Sequence, residues 1–358
     1  MKALLAVAHV CHRLWKGLLA ADRLIRIHFL FFSSLLPLLG GSTVRQDLSP
    51  GQIAALLGVG FCFHIYSYVL NDVIDLPVDR TQPLRQGDPL VRGAVRPWQA
   101  LLVALAPIPL TVPLTVALGG GARAYATLAG GFAMMAVYNL WGKRCPIPPL
   151  TDLVQGLAWG SLALYAGQAL GQPNVLTWVV AAYGAGFILH INGIHGGLRD
   201  LANDLASGAL TTAIFLGARP SPDGRTRVPL GIPVFAYSVF AGLAALVLVP
   251  LLRNDFGYDP ALRITMLVTA GVLCGADLFL LTVVVHPDWP LWNAAFRVQS
   301  FLVVATLPIV FVPYVSAGTL LALSLVLALS LLPLNWAIWL WGELRPAAEP
   351  RMDRTYVE

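Results

Sequence analysis

Three aspartates that follow a long apolar run are spaced for joint chemistry. Asp72, Asp75 and Asp79 stand at positions i, i+3 and i+7, and Asn71 precedes Asp75 by four residues. Helical phasing at about 100° per residue brings the three carboxylates onto one face. Carboxylates gathered in this way repel one another and are costly beside a bilayer unless a cation neutralises them. Their hard oxygens favour Mg²⁺, which usually keeps several waters and takes its remaining ligands from phosphates.

A proline interrupts this first cluster. Pro77 lies inside the spacing, so we expect the helix to break there and to leave Asp79 on a loop. An acidic helix end solvated by water is the simpler alternative, but a solvated end requires no one-sided spacing. We therefore interpret the cluster as a metal site.

A second acidic cluster closes another apolar run further along the chain. Asp200 and Asp204 are four residues apart, which places both on one face of a helix. The apolar run 179–194 leads into them, as another run leads into the first cluster. Two such clusters predict two metal sites that face each other across one diphosphate. The candidate metal ligands are Asp72, Asp75, Asp79, Asp200 and Asp204.

The composition indicates a membrane protein. Hydrophobic residues make up 57% of the chain and charged residues 11%, whereas soluble domains carry about 25% charge. Apolar runs long enough to cross a bilayer recur along the chain, so an all-α, polytopic transmembrane helical bundle is predicted. These runs lie near residues 24–41, 51–71, 97–117, 122–140, 150–168, 175–196, 229–252, 263–285, 295–314 and 317–341.

Cysteine usage and net charge argue against two other classes of function. The four cysteines form no close pair, so neither a zinc site nor a disulfide framework is expected. The formal net charge is +5, but the basic residues concentrate on loops between apolar runs, which has a membrane explanation. No nucleic-acid partner is predicted.

The distribution of basic residues predicts the orientation of the bundle. Most of the 23 Lys and Arg residues fall on alternate loops, including loops 72–96 and 197–228. By the positive-inside rule these loops are cytoplasmic, so both acidic clusters of this integral, multi-pass protein open to the cytoplasm. We divide the chain into an amphipathic cytoplasmic segment (1–23), a transmembrane domain (24–341) and a C-terminal tail (342–358).

Charged residues outside the two clusters are further candidates for substrate binding. Cations near the predicted cytoplasmic mouth could hold diphosphate oxygens and stabilise a leaving group. The alternative for each is a topology signal only. Asp277 lies inside the eighth apolar run, where a charge costs about 2.5–3.5 kcal/mol, so it is a functional candidate, with a helix-packing hydrogen bond as the alternative. The cations are Arg80, Arg85, Arg92, Lys143, Arg144 and Arg199.

The two acidic stretches together resemble the UbiA superfamily of intramembrane prenyltransferases. Residues 71–79 match its NDxxDxxxD pattern, and residues 200–204 match its DxxxD pattern, followed by a similar glycine- and threonine-containing tail over 208–217. The resemblance implies about nine transmembrane helices around a central cavity that opens to the cytoplasm. It also implies Mg²⁺ as cofactor and an isoprenoid diphosphate as substrate.

The resemblance and the preceding arguments together assign roles to individual residues. Tyr138 and Lys143 resemble the Tyr followed by Lys or Arg that the family carries on its fourth helix. We expect catalytic roles for Tyr138, Lys143 and Asp200. We expect substrate-binding roles for Asn71, Arg80, Arg85, Lys143, Arg144, Arg199 and Asp277.

Two positions depart from the family pattern. Where many members carry Arg-Pro-Leu after the first motif, this chain has Asp88-Pro-Leu. Where many carry Lys or Arg two residues after the glycine of the second motif, this chain has Leu210. Two family cations are therefore missing from their usual places, so other basic residues must bind the diphosphate.

Three functions are compatible with these patterns. The leading hypothesis is a Mg²⁺-dependent prenyltransferase, of specialised metabolism, that ionises an isoprenoid diphosphate and transfers the prenyl group to an acceptor, expected to be aromatic. The alternative is a terpene cyclase of the same fold, which needs no acceptor. A transporter of anionic lipids is less favoured, because the carboxylates lie at the predicted cytoplasmic mouth and not at the midplane. Membrane lipid is an expected partner of all three.

Overall fold

The computed structural model describes residues 23–82, 85–222, 225–253, 258–287, 291–312 and 314–331. Helices dominate these residues, as the all-α prediction requires. The first part contains α1 (Ile27–Ser42), α2 (Pro50–Ile74), α3 (Leu76–Asp79), α4 (Pro97–Leu105), α5 (Pro107–Ala117) and α6 (Ala122–Trp141). The middle contains α7 (Pro148–Leu170), α8 (Val175–His190), α9 (Gly197–Arg199), α10 (Leu201–Ala206) and α11 (Thr212–Phe215). The last part contains α12 (Gly231–Leu252), α13 (Pro260–Val284), α14 (Trp292–Ile309) and α15 (Ala317–Leu331).

Three shorter elements complete the described chain. A single 3₁₀ turn, Gly142–Arg144, follows α6. A π-helical segment, Ile191–Gly196, continues α8 towards α9. Two-residue strands, β1 (Arg219–Pro220) and β2 (Thr226–Arg227), pair antiparallel in the loop after α11. This hairpin is a small exception to the all-α prediction.

Side-chain caps at loop–helix boundaries begin several of the long helices. The Ser49 hydroxyl accepts a hydrogen bond from the Gln52 backbone, and the Gln52 side chain accepts one from Ser49 in return. This capping box and Pro50 in the first turn begin α2. The Asp259 carboxylate accepts two backbone hydrogen bonds and begins α13 in the same way. The local sequence therefore determines where these helices start.

Small residues let the central helices α7 and α8 approach closely. A Cβ added at Gly156 or Gly160 of α7 would lie 2.4 Å from the carbonyl oxygen of Ala185 or Ala181 of α8. Substitution of either glycine would push the two backbones apart. Such four-residue spacing of glycines is typical of packed membrane helices, where close backbone contact replaces the hydrophobic driving force.

Five helical segments of the described chain, two of them made of consecutive helices, are by length and composition able to cross a membrane. They are the segments Pro50–Ile74, Pro97–Ala117, Val175–Arg199, Gly231–Leu252 and Pro260–Val284. Two shorter apolar helices cover Ala294–Ile309 and Ala317–Ala328. The multi-helix, all-α architecture is thus confirmed, with five segments that could cross a membrane, and the number of about nine spans stays a prediction. The tail 342–358 and almost all of the segment 1–23 lie outside the described residues.

Candidate functional site

Each acidic motif is interrupted at one of its aspartates. Asp75 separates α2 from α3 with φ −83° and ψ 0°. Asp200 separates α9 from α10 with φ −96° and ψ 6°. This sparsely populated region of backbone space is where many active-site residues lie. Both carboxylates therefore project from a junction between helices and not from the side of a continuous helix.

The predicted helix break lies slightly earlier than expected. Pro77 occupies the first turn of α3, and Asp79 is the last residue of that one-turn helix and not part of a loop. The reason is that Pro77 cannot donate to the carbonyl four residues earlier and collides with it. The first turn of a new helix tolerates proline, so the chain breaks before Pro77 and restarts around it.

The two motifs meet at one cavity. Residues from α2, α3, α6, α7, the π-helical segment and α10 line it. Of the predicted site residues, the cavity brings together Asn71, Asp75, Asp79, Arg85, Tyr138, Lys143, Arg199, Asp200 and Asp204.

Lys143 joins the two motifs. Its ammonium nitrogen lies 3.2 Å from Oδ2 of Asp75 and 3.7 Å from Oδ1 of Asp204. The 3₁₀ turn after α6 places this side chain between the two carboxylates. Asn71 donates to the same Oδ2 of Asp75 at 3.1 Å and so holds that carboxylate in place. One cation thus occupies the space between the first and the second motif.

Arginine side chains neutralise Asp72. A guanidinium nitrogen of Arg26 lies 2.7 Å from Oδ1 of Asp72, and one of Arg85 lies 3.8 Å from the same oxygen. Asp72 itself is buried and is absent from the cavity lining, although both arginines line it. Arg26 also covers the ring of Tyr68, with its guanidinium carbon 4.6 Å from the ring centroid. Asp72 therefore positions cations at the cavity in this arrangement.

Asp200 has a different set of partners. Arg199 donates to both of its carboxylate oxygens, at 3.0 and 2.7 Å. Gln82, from the loop after the first motif, donates to Oδ1 at 3.0 Å. One residue earlier, the Thr81 hydroxyl donates to Oδ1 of Asn203 at 3.3 Å. These contacts fasten the loop after the first motif onto the second motif.

Burial and neighbouring charge divide the acidic residues by their pKa values. Burial raises the pKa of Asp79 to about 6, against the opposing charge of Arg85. Burial also raises the pKa of Asp204 to about 6, against the charge of Lys143. At Asp200 burial acts in the same direction, but the hydrogen bond and charge of Arg199 outweigh it and lower the pKa. Burial lowers the pKa of Lys143, but the Asp75 and Asp204 carboxylates outweigh it, so the net shift is upward and Lys143 stays protonated.

The donor set at the cavity suits a hard divalent cation. Carboxylates of both motifs line the cavity, and the Lys143 ammonium lies between Asp75 and Asp204, where it offsets their negative charge. Within the described ranges, no three His, Cys, Asp or Glu side chains form a ready metal cage. Mg²⁺ does not need one, because it is usually held by one or two carboxylates, by water and by substrate phosphates. The residues present therefore fit such an ion bound together with a diphosphate.

Three predicted substrate-binding residues lie outside the cavity lining. Arg80 and Arg144 are exposed and do not contribute to it. Arg80 follows the one-turn helix α3 and Arg144 ends the 3₁₀ turn, and the exposure of both fits a topology signal. Asp277 is buried on α13, where the Thr306 hydroxyl of α14 lies 3.5 Å from its Oδ2. That contact fits the helix-packing alternative.

The cavity also contains polar residues that sequence reasoning missed. Arg26, Gln82 and Asp152 all line it. Arg26 carried only the signal of a cation at the start of the first apolar run. Asp152 carried a stronger one, since it is an acidic residue in the fifth run and the rule applied to Asp277 covers it as well. Gln82 had no signal in the sequence.

Comparisons with known proteins support a single family. The model of the UbiA prenyltransferase family matches residues 34–299. The protoheme IX farnesyltransferase of Metallosphaera sedula is 31% identical over 131 residues, which cover 37% of this chain and 45% of that protein. The chain thus spans less than half the length of this relative. The lycopene elongase/hydratase of Halobacterium salinarum is 32% identical over 207 residues, 56% of this chain and 70% of that protein.

Solved structures show the same fold. A UbiA homologue from Archaeoglobus fulgidus bound to GPP and Mg²⁺ superposes with a TM-score of 0.55. The match covers 81% of this chain and 99% of that one, at 18% sequence identity. The superposition establishes the shared fold. At this low identity, the chemistry has to be argued from the residues described above.

Proposed function

Because the chain belongs to the UbiA prenyltransferase family, we propose that it is a Mg²⁺-dependent prenyltransferase that acts on an isoprenoid diphosphate at this cavity. The observation that carries the proposal is the position of Lys143 between Asp75 and Asp204. A site that gathers carboxylates from two motifs around one cation suits a ligand with several negative oxygens and its own divalent ion. The Mg²⁺-bound homologue of the same fold supports the assignment.

The residues divide into those that hold Mg²⁺ and those that hold the diphosphate. Asp75, Asp79, Asp200 and Asp204 would hold the metal, with Asp72 beside them. Bound Mg²⁺ would neutralise charge on the diphosphate oxygens. Lys143, Arg26 and Arg85 lie at the same cavity and would donate charge-assisted hydrogen bonds to those oxygens. They stabilise the negative charge that grows on the diphosphate as the C–O bond breaks.

The apolar side of the cavity suits the prenyl cation. The ring centroids of Tyr68 and Trp159 lie 6.2 Å apart, and the Phe63 ring packs against Trp159 at 5.0 Å. Aromatic faces stabilise a nearby cation, and their exclusion of water protects it from hydrolysis. We propose that the allylic carbon reacts beside this aromatic group. The cavity is proposed to open to the cytoplasm, which the basic loops support.

The test uses purified protein in detergent and C10, C15 and C20 prenyl diphosphates. Release of inorganic diphosphate is followed with Mg²⁺ and with EDTA, and the organic extract is analysed by mass spectrometry. We expect Mg²⁺-dependent release and a prenylated product when an acceptor is present. A cyclic terpene formed from the diphosphate alone would show that the protein is a terpene cyclase and not a prenyltransferase. No release with any of the three substrates would contradict both.

A further inference from the structure

One face of α7 carries polar side chains into the cavity. Asp152, Gln155 and Trp159 line it and follow one another at helical spacing. The opposite face carries Leu153 and Leu157, which are exposed and suited to lipid contact. Polar groups inside a membrane helix are costly and are retained where they contact one another or a ligand. The polar side chains on this face of α7 therefore need hydrogen-bonding partners in the cavity.

Asp152 differs from the aspartates of the two motifs. It is buried, and the Thr212 hydroxyl of α11 donates to its Oδ2 at 2.5 Å. In the described part of the chain, no Lys or Arg nitrogen lies within 4 Å of it, whereas Asp72 and Asp200 each have an arginine. A carboxylate offers about four acceptor sites, so Asp152 can accept another hydrogen bond beside that of Thr212.

The next turn of α7 offers complementary groups. The side-chain amide of Asn192, in the π-helical segment, donates to the side-chain oxygen Oε1 of Gln155. This pairing leaves the amide hydrogens of Gln155 and the carbonyl oxygen of Asn192 for other partners. Both residues line the cavity. Together with Asp152 they form a polar wall, which consists of Asp152, Gln155 and Asn192.

The charge on the polar wall excludes one substrate and favours another. An uncompensated carboxylate repels a diphosphate, so the diphosphate belongs with Lys143 and the arginines. Asp152 instead suits a group that donates hydrogen. Trp159, two turns along the same face, offers a flat apolar surface to the rest of such a molecule.

We propose that Asp152 binds the acceptor of prenyl transfer through a hydroxyl or amino hydrogen and takes the proton that the acceptor loses. This inference rests on the proposed function. In the reaction the C1–O bond of the prenyl diphosphate breaks, and both electrons leave with the diphosphate. An electron pair of the acceptor forms the new bond to C1, and the acceptor proton passes to the Asp152 carboxylate. Thr212 is a positioning residue that holds the carboxylate towards the cavity.

The test compares paired acceptors and matched variants. Phenol, hydroquinone and 4-aminophenol are each assayed beside their fully methylated forms, with a prenyl diphosphate and Mg²⁺. Wild-type protein is expected to prenylate a hydroxyl- or amino-bearing compound and to leave its methylated form unchanged. Asp152→Asn is expected to lower kcat/KM for the acceptor at least tenfold. Its KM for the prenyl diphosphate and its diphosphate release without acceptor should change less than twofold.

The outcomes separate this inference from the function on which it rests. A structural role for Asp152 would lower diphosphate release and acceptor transfer together, and that result would overturn the inference. Equal transfer to a methylated form, or transfer to none of the six compounds by a wild-type protein that releases diphosphate, would overturn it as well. Asp259→Asn, a cap substitution far along the chain, is the control and should match wild type. Absence of diphosphate release from wild type would reject the proposed function itself, and this inference with it.

Discussion

The backbone N–H of Leu210 donates a hydrogen bond to the carbonyl oxygen of Lys143, with nitrogen and oxygen 2.9 Å apart. Leu210 is the position where the family resemblance leads us to expect a cation, and Lys143 is the cation that contacts both motifs. Both residues line the same cavity. The missing charge and the charge proposed to replace it are therefore neighbours in space, although 67 positions separate them in the numbering.

Lys143→Met is expected to raise KM for the prenyl diphosphate or to lower kcat by at least tenfold, which corresponds to roughly 1.4 kcal/mol. The variant loses the ammonium that would contact the diphosphate. Leu210→Lys in the same background should restore part of the loss, because it returns a cation to the adjacent position. Steady-state kinetics of diphosphate release provide the measurement.

Arg144→Met is the matched control for Lys143→Met, since Arg144 is the next residue, is exposed and lies outside the cavity lining. It should leave the kinetics unchanged. A kinetically silent Lys143→Met would show that Lys143 is only a topology signal, and the phosphate contact would then belong to Arg26, Arg85 or Arg199.

Asp204→Ala and Asp72→Ala are each expected to abolish turnover and to leave the protein folded. Asp204→Ala would remove a metal ligand, and Asp72→Ala would release Arg26 and Arg85 from their present positions. Diphosphate release at limiting Mg²⁺ measures activity, and size-exclusion chromatography in detergent reports the fold. Near wild-type activity of folded Asp204→Ala would disprove the two-motif metal site. Near wild-type activity of folded Asp72→Ala would show that turnover does not depend on the arginines that Asp72 holds.

Arg26→Gln is expected to raise KM for the prenyl diphosphate about tenfold, since a hydrogen bond to a charged group contributes about 1.5–3 kcal/mol. Arg26 lies at the cavity between Asp72 and the Tyr68 ring, so the diphosphate can replace Asp72 as its partner. Arg26→Lys should retain part of the affinity. Arg45→Gln, an exposed arginine on a distant loop, serves as control, and an equal effect there would point to nonspecific charge.

Loops 72–96 and 197–228 are expected to be cytoplasmic because of their basic residues. In a background without the native cysteines, Arg219→Cys should resist a membrane-impermeant thiol reagent added to intact cells. Arg45 precedes the helix Pro50–Ile74, at the end opposite to loop 72–96, so Arg45→Cys is expected outside and should react under the same conditions. Efficient labelling of Arg219→Cys together with protection of Arg45→Cys would reverse the orientation.

Local patterns in the sequence are sufficient to predict the helical architecture and the two acidic motifs. Apolar runs of bilayer length predicted most of the long helices closely, because hydrophobic length and backbone hydrogen bonding leave a spanning segment little choice but a helix. The spacing around Asp75 and Asp200 identified both acidic motifs for the same reason, since helical periodicity is a local property. Pro77 likewise signalled a break, which the structure places at Asp75.

Contacts between distant segments of the chain determine which side chains share the cavity. Arg26 and Asp152 come from the first and the fifth apolar runs, and Gln82 comes from a loop that folds over Asp200. The folded structure also distinguishes Lys143, which lies between the two motifs, from its neighbour Arg144, which is exposed. These distinctions depend on helix rotation and on close packing at Gly156 and Gly160. Periodicity along a single helix does not encode them, because the contacts that set rotation lie between segments distant in the chain.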